Sequence, residues 1–272
     1  MLDTEIVGVT HGVDVGNWYF QAWFFGIPLA YGALVLLFRS MGVWNFKTRA
    51  GALTSDIMAF ELCAIISVTY LGVAGLVATF DLFGVEESVA LSTDMFYAKS
   101  TFVEEHLIYP MITFQGWNTL LCFFSPDLRK PEMIGHHLFT TALGYFGLYP
   151  YLHGAGLFFF GVAELSNVPL CFYEIFKYLK PAGYQERYKM LYELSQVSFA
   201  LSFVVLRLII WPMKSWAFWM ESIELLSSGK AHSQFVVGFF LLANMFLTGL
   251  QFIWGWTIIQ FVLPKKSKAK KV

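Results

Sequence analysis

Residues 133–164 read MIGHHLFTTALGYFGLYPYLHGAGLFFFGVAE, a run whose only acidic or basic side chains before the closing Glu164 are the imidazoles of His136, His137 and His153. Pro150 and Gly154 interrupt it. A proline removes a helical N–H and a glycine loosens the backbone, so the run divides into two helices joined by a short loop. The hydrocarbon layer of a bilayer needs about 20 apolar residues per helical span. The two halves therefore read as the fourth and fifth of a series of transmembrane helices. Because the loop is short, they are expected to form an antiparallel pair. The puzzle within the run is why segments so committed to oil carry paired imidazoles and then a carboxyl group.

The rest of the chain supports a membrane reading. Of 272 residues, 57% are hydrophobic, 19% aromatic and only 14% charged, and the mean hydropathy is +0.59. That is too apolar for a single water-soluble core. Apolar stretches at 18–38, 57–80, 107–124, 133–150, 154–176, 191–211 and 235–263 predict an all-α, polytopic bundle of about seven spans. The basic residues give an independent test, because cytoplasmic loops collect Lys and Arg. Arg39, Lys47 and Arg49 follow the first span, Arg129 and Lys130 the third, and Lys177, Lys180, Arg187 and Lys189 the fifth. Lys265, Lys266, Lys268, Lys270 and Lys271 form the tail, which brings 14 of the 18 basic residues onto alternate loops. The opposite loops hold Lys99, Lys214 and Lys230 with an acidic set: Asp3, Glu5, Asp14, Glu86, Glu87, Asp94, Glu104 and Glu105. The expected topology places the N-terminus outside and the C-terminus in the cytosol.

Asp3 and Glu5 without a basic n-region predict a retained first span rather than a cleaved leader. The domain expectation is an N-terminal segment with the first helix (1–56), a six-helix unit (57–263) and a basic cytosolic tail (264–272). Cys63, Cys122 and Cys171 fall inside predicted spans, where small buried thiols are ordinary and a disulfide framework is not expected. The tail places Lys268 and Lys270 in a spacing similar to a dilysine endoplasmic reticulum retrieval signal, although a basic tail touching anionic lipid reads equally well. Residues 215–233 mix Trp216, Phe218, Trp219 and Leu225 with Glu221, Glu224 and Lys230, as either an amphipathic helix in the interface or a plain loop would.

An ionisable group in mid-membrane costs about 2.5–3.5 kcal/mol on the insertion scale and marks a functional-site hypothesis. Glu61, the pair His136 and His137, Glu164 and Arg207 qualify. On a regular helix Glu164, Asn167 and Cys171 share a face at i, i+3 and i+7. Facing helices would turn His137, Thr140 and that face toward one cavity. There an imidazole acts as base or nucleophile with the carboxylate orienting it. The alternative reading pairs Glu164 with Arg207 to fix the bundle, leaving the histidines bonded to backbone. Adjacent histidines diverge by about 100° on a helix and do not chelate one ion, so no metal is expected.

The paired histidines with Thr140, the basic lead-in SPDLRKPEM, the segment Glu164-Leu-Ser-Asn-Val-Pro169 and the element Phe203-Val-Val-Leu-Arg207-Leu-Ile-Ile-Trp-Pro212 together resemble the TLC domain. That is the family of ceramide synthases, translocation-associated TRAM proteins and TLC-domain-containing proteins. The resemblance implies an intramembrane tunnel in which ceramide synthases join an acyl group from acyl-CoA to a sphingoid base. It makes His136 and His137 the base or acyl-accepting residues and puts Glu164 in place of a first aspartate. Asn167 stands where the second aspartate belongs, and Ala163 replaces a histidine. The ELSxxP form is similar to the branch linked to membrane lipid composition rather than to ceramide synthesis.

Three functions remain open. The first is a protein that binds a lipid or acyl chain in a cavity between its helices and affects membrane lipid composition. The second is an N-acyltransferase with His136, His137 and Glu164 as catalytic residues and acyl-CoA as co-substrate. The third is a structural or assembly subunit of a larger complex. Thr140, Asn167, Cys171 and Arg207 are the expected substrate-binding residues. No tightly bound cofactor is expected. The expected partners are membrane lipids, with partner membrane proteins or a homo-oligomer beside them. The endoplasmic reticulum is the expected membrane, with other organelles open. A channel would show pore-lining carboxylates or a filter loop, a transporter two related halves with broken helices. A retinal pigment would need a lysine in the seventh span, and the basic residues follow topology rather than forming a nucleic-acid patch.

Overall fold

The computed structural model describes residues 13–80, 100–149 and 153–262, with side chains to 260. Pro150, Lys99, Asp3, Glu5, Glu86, Glu87, Asp94 and the basic tail lie outside the described residues. Within them the chain is helical, and its only bridge is an isolated one between Lys47 and Leu53. The long helices are α1 (Trp18–Ser40), α2 (Thr54–Thr79), α3 (101–124), α4 (Pro131–Gly147), α5 (His153–Tyr178), α6 (Lys189–Ser227) and α7 (Gln234–Val262). Five of these, α1, α2, α5, α6 and α7, are long and apolar enough to cross a membrane. Helix α4 has only 17 residues. Helix α3 carries Gln115 and Asn118 among its buried side chains, which lowers its apolarity.

Caps and prolines fix where helices begin. Asn17 caps α1 by accepting from the amides of Tyr19 and Phe20, and Ser100 caps α3 through Val103. Pro131 opens α4 at a position whose amide needs no helical partner. Besides Pro28 in α1, three prolines, Pro110, Pro169 and Pro212, sit inside helices. Each deprives the turn before it of an amide donor. Each follows an irregular turn: π at Glu104–Ile108, π then 3-10 over Leu157–Gly161 and Val162–Ser166, and π at Val204–Ile210. Glu164 and Arg207 both stand five residues before their proline, within these re-phased turns.

Helix α6 runs unbroken for 39 residues, so the predicted end near Trp211 is corrected and residues 211–227 are helical rather than loop. Their pattern is turned inside out. Met213, Trp216, Met220 and Ile223 point outward, whereas Ser215 and Ser222 are buried with Trp211 and Phe218. An outward apolar stripe suits a lipid environment along this length.

Packing closes a ring in the order α2, α3, α4, α7, α6, α5 and back to α2. Helix α1 lies outside it, against α2 and α3. Only 11% of its apolar window is buried, against 44% for α2 and 50% for α5. The α2–α5 seam is the tightest. A Cβ on Gly75 would lie 2.5 Å from the Gly161 Cα and 2.7 Å from the Leu157 oxygen, so only glycine permits that approach. Contrary to expectation, α4 and α5 do not form a close pair. Helix α4 packs chiefly on α3 and α7, and α5 on α2 and α6, because a cavity separates them.

The two ends of the bundle are tied differently. At the end holding the basic loops, Thr48 donates to Asp127 at 2.5 Å, and Leu179 joins Phe38, Ile57 and Met58 in a small second core. At the other end His153, only 1% exposed, accepts the Ser100 amide at 2.9 Å through Nδ1. Its Nε2 donates to the Gly147 carbonyl at 2.8 Å. One imidazole thus joins the ends of α3, α4 and α5.

Candidate functional site

The cavity lies between α4, α5, α6 and α7 and has a volume of about 50 Å³. Helix α4 contributes His136, Thr140 and Leu143, α5 Phe159, Phe160 and Glu164, α6 Arg207, Trp211 and Phe218, and α7 Phe240, Asn244 and Leu247. The polar groups gather around one region and the aromatic side chains make the walls. Such a space is apolar along its walls and polar at one end.

Its floor is a buried ion pair. Arg207 Nη2 lies 3.0 Å from Glu164 Oε1, with the two side chains 5% and 6% exposed. Arg207 Nε donates to Ser166 Oγ at 3.1 Å, and the guanidinium carbon lies 5.2 Å from the centre of the Trp211 ring. The second Glu164 oxygen accepts from Asn167 Nδ2 at 2.8 Å. Both charges are thus matched by direct partners, as burial requires. The alternative that paired Glu164 with Arg207 describes this geometry. Each carboxylate oxygen has a partner, and among the described residues neither bonds to an imidazole.

The histidines diverge as helix geometry dictates. His137 turns to α3, where Nδ1 donates to Gln115 Oε1 at 2.5 Å; it does not line the cavity. His136 does line it, and its ring packs edge-on to Trp254 with centroids 5.6 Å apart. Its Nδ1 is buried and has no partner among the described residues. The expectation that His137 and Thr140 face the cavity is therefore corrected to His136 and Thr140, the i, i+4 pair on α4.

The face built from Glu164, Asn167 and Cys171 also divides. It assumed a regular helix, but the 3-10 turn Val162–Ser166 winds at about three residues per turn and rotates the residues beyond it. Asn167 still reaches Glu164, whereas the Cys171 thiol faces the Glu61 carboxyl group in the α2–α5 seam. Glu61 is only 5% exposed and lies outside the cavity. Cys63, Cys122 and Cys171 are all free and buried.

Sequence reasoning missed the α6–α7 side. Trp211 Nε1 donates to Thr248 Oγ1 at 3.0 Å, and Trp219 Nε1 to Asn244 Oδ1 at 2.9 Å. The signal was present, since Asn244, Thr248 and Gln251 recur at i, i+4 and i+7 in an otherwise apolar span. A larger hollow of about 240 Å³ opens at the basic end among Tyr31, Asp56, Phe60, Phe124 and Ser125. It holds none of the residues singled out above, and its Asp56 is already paired with Arg39 at 2.6 Å.

With this geometry in place, comparison with known proteins adds one finding. Residues 16–260 match the family model described as the TLC domain, grouping TRAM, LAG1 and CLN8. No curated protein matches the chain significantly.

Proposed function

The chain belongs to the TLC-domain family, and on that premise we propose that it binds a lipid or acyl chain in the cavity between α4, α5, α6 and α7 and thereby influences membrane lipid composition. One observation carries the reading. A cavity walled by Phe159, Phe160, Trp211, Phe218 and Phe240 ends on polar groups whose charges cancel. An apolar group replaces nothing polar along those walls, so its burial is favourable at about 25 cal/mol per Å² of apolar surface removed from water; at about 50 Å³ the cavity takes the end of a chain, and a longer stretch enters only as the helices part.

The proposal includes a seven-span topology with the N-terminus outside and the C-terminus cytosolic, in the endoplasmic reticulum membrane. It is supported by the five apolar helices and by the basic loops gathering at one end. Helices α3 and α4 cross as members of the ring, where Gln115 and His137 satisfy each other instead of facing lipid.

A second reading, acyl transfer from acyl-CoA to a sphingoid base, rests on His136 and Glu164 lining one cavity. In this geometry His136, not His137, is the residue placed to act as base. Glu164 is held by Arg207 and Asn167, which favours binding over proton shuttling. Lipid extracts from cells expressing the wild type or Thr140→Phe test the proposal. A shift in lipid composition with the wild type, absent with the filled cavity, supports it; identical extracts refute it. Amide formation from acyl-CoA that disappears in His136→Ala would replace binding by catalysis.

A further inference from the structure

The hollow at the basic end plays no part in the proposed site, and its volume of about 240 Å³ exceeds the roughly 150 Å³ in which an engineered cavity holds benzene. It lies between the basic ends of α1, α2 and α3. Ile57 and Phe60 of α2 and Leu121 and Phe124 of α3 give it apolar walls. Phe124 is 79% exposed, so on that side the hollow is open to the surroundings of the bundle. In a bilayer those surroundings are lipid.

The polar groups around the hollow are not all engaged. Tyr31 lines it, and the Tyr31 hydroxyl has no hydrogen-bond partner among the described residues yet keeps accessible surface. Asp56, the one charged residue of the lining, accepts from Arg39 Nε at 3.1 Å and from Arg39 Nη2 at 2.6 Å. Arg39 Nη1 has no partner among the described residues, on a side chain that is 48% exposed. Across the rim, the Arg129 guanidinium donates to the Phe123 carbonyl, next to the Phe124 wall. Two guanidinium groups thus flank the opening. The loops that close it, 41–53 and 125–130, add Lys47, Arg49 and Lys130, all exposed. Their acid, Asp127, is bonded to Thr48.

These features sort the ligands. A cation would meet a surplus of like charge, because Arg39 already holds the carboxylate of the lining. A bare hydrocarbon would leave Tyr31 and the open guanidinium edge unused. A small soluble anion would use the rim and none of the walls. An anionic phospholipid uses all three parts. Guanidinium N–H groups bind phosphate oxygens, a hydroxyl donates to an ester carbonyl, and apolar walls take the upper part of an acyl chain. Arg39 stays in contact with water, unlike Arg207, so a further anion at the rim avoids the desolvation cost of a buried pair.

We propose that this hollow is a second lipid site, separate from the cavity between α4, α5, α6 and α7, and that it takes a phospholipid of net negative charge from the leaflet at the basic end. The phosphate sits on Arg39 and Arg129, an ester carbonyl faces Tyr31, and one chain enters along Phe60 and Leu121. Because water washes the rim, the lipid exchanges with the bilayer and is not retained in detergent.

The test uses the purified full chain in phosphatidylcholine nanodiscs with a trace of photoreactive lipid, and peptide mass spectrometry reads the labelled residues. The two probes, phosphatidylserine and phosphatidylcholine, carry the same photoreactive chain. Phosphatidylserine is expected to label Ile57, Phe60 and Leu121 about tenfold more than phosphatidylcholine. The triple variant Arg39→Gln, Asp56→Asn, Arg129→Gln removes both guanidinium groups without baring the carboxylate. It should erase that preference, and persistent phosphatidylcholine labelling shows that the hollow is intact. Ala52→Trp fills the hollow and keeps every cation, so it should abolish labelling of the same three residues by both lipids. Glycerophosphoserine and inorganic phosphate in hundredfold excess should leave phosphatidylserine labelling unchanged. Equal labelling by the two lipids on the wild type, or a preference that survives the triple variant, overturns the charge selection. Labelling that survives Ala52→Trp overturns the seat in the hollow. Competition by either soluble phosphate makes this a site for free phosphate and overturns the lipid assignment.

Discussion

Removing one partner of the Arg207–Glu164 pair should damage the protein far more than removing both. At 3.0 Å, two unit charges in an effective dielectric of about 20 attract by about 5 kcal/mol. With both side chains no more than 6% exposed, the surviving charge has no water to turn to. Breaking such a pair costs about 3–5 kcal/mol. Arg207→Met strands the Glu164 carboxylate on the Asn167 amide alone; Glu164→Gln strands the guanidinium on Ser166 and Trp211. The double variant strands neither, and a neutral replacement for a buried pair is often tolerated. The coupling energy should therefore be at least about 2 kcal/mol, well beyond the few tenths expected of independent sites. Equilibrium unfolding of the four proteins in one detergent measures it. Losses that add within about 0.5 kcal/mol would refute the pair as a unit.

The tight seam and the helix ties give further expectations. Gly75→Val drives methyl groups into the Gly161 backbone and should cost about 1–3 kcal/mol or more. Gly249→Ala, with nothing within 4 Å, should be neutral or slightly stabilising; thermal unfolding separates the two. His153→Phe leaves the Ser100 amide and Gly147 carbonyl without their bonds and should cost about 1–3 kcal/mol for each. Hydrogen exchange should rise at Ser100 and at the end of α4. Asn244→Leu removes the acceptor of Trp219 Nε1 and should cost about 1–2 kcal/mol. A change in the indole emission of a Trp219-only variant reports it.

Hydropathy placed the long helices to within a few residues because each needs roughly the thickness of oil in apolar side chains. It missed the extension of α6 beyond Trp211. There Glu221 and Glu224 suggested an interface, whereas the buried face is built from Ser215 and Ser222 against α7. Glu164, Arg207, Thr140 and His136 were legible as site residues because a polar group inside an apolar run needs a reason to be there. What failed was angular phase. Assignment of Cys171 to the cavity extrapolated a regular 100° step, and the π and 3-10 turns before Pro169 break that step; His137 stands on the regular helix α4, and which of two adjacent imidazoles faces the cavity depends on neighbours that spacing does not name. The spacing of five residues from Glu164 to Pro169 and from Arg207 to Pro212 contained the warning. Gln115 was invisible for another reason, since nothing within α3 announces which neighbour its carboxamide will meet.

Native mass spectrometry of the detergent-purified chain, wild type against Thr140→Trp, asks whether the cavity holds a lipid. The account predicts a discrete bound lipid on the wild type that is lost when an indole fills the space beside His136, with the fold intact by thermal unfolding. The same lipid on both proteins, or none on either, would contradict it.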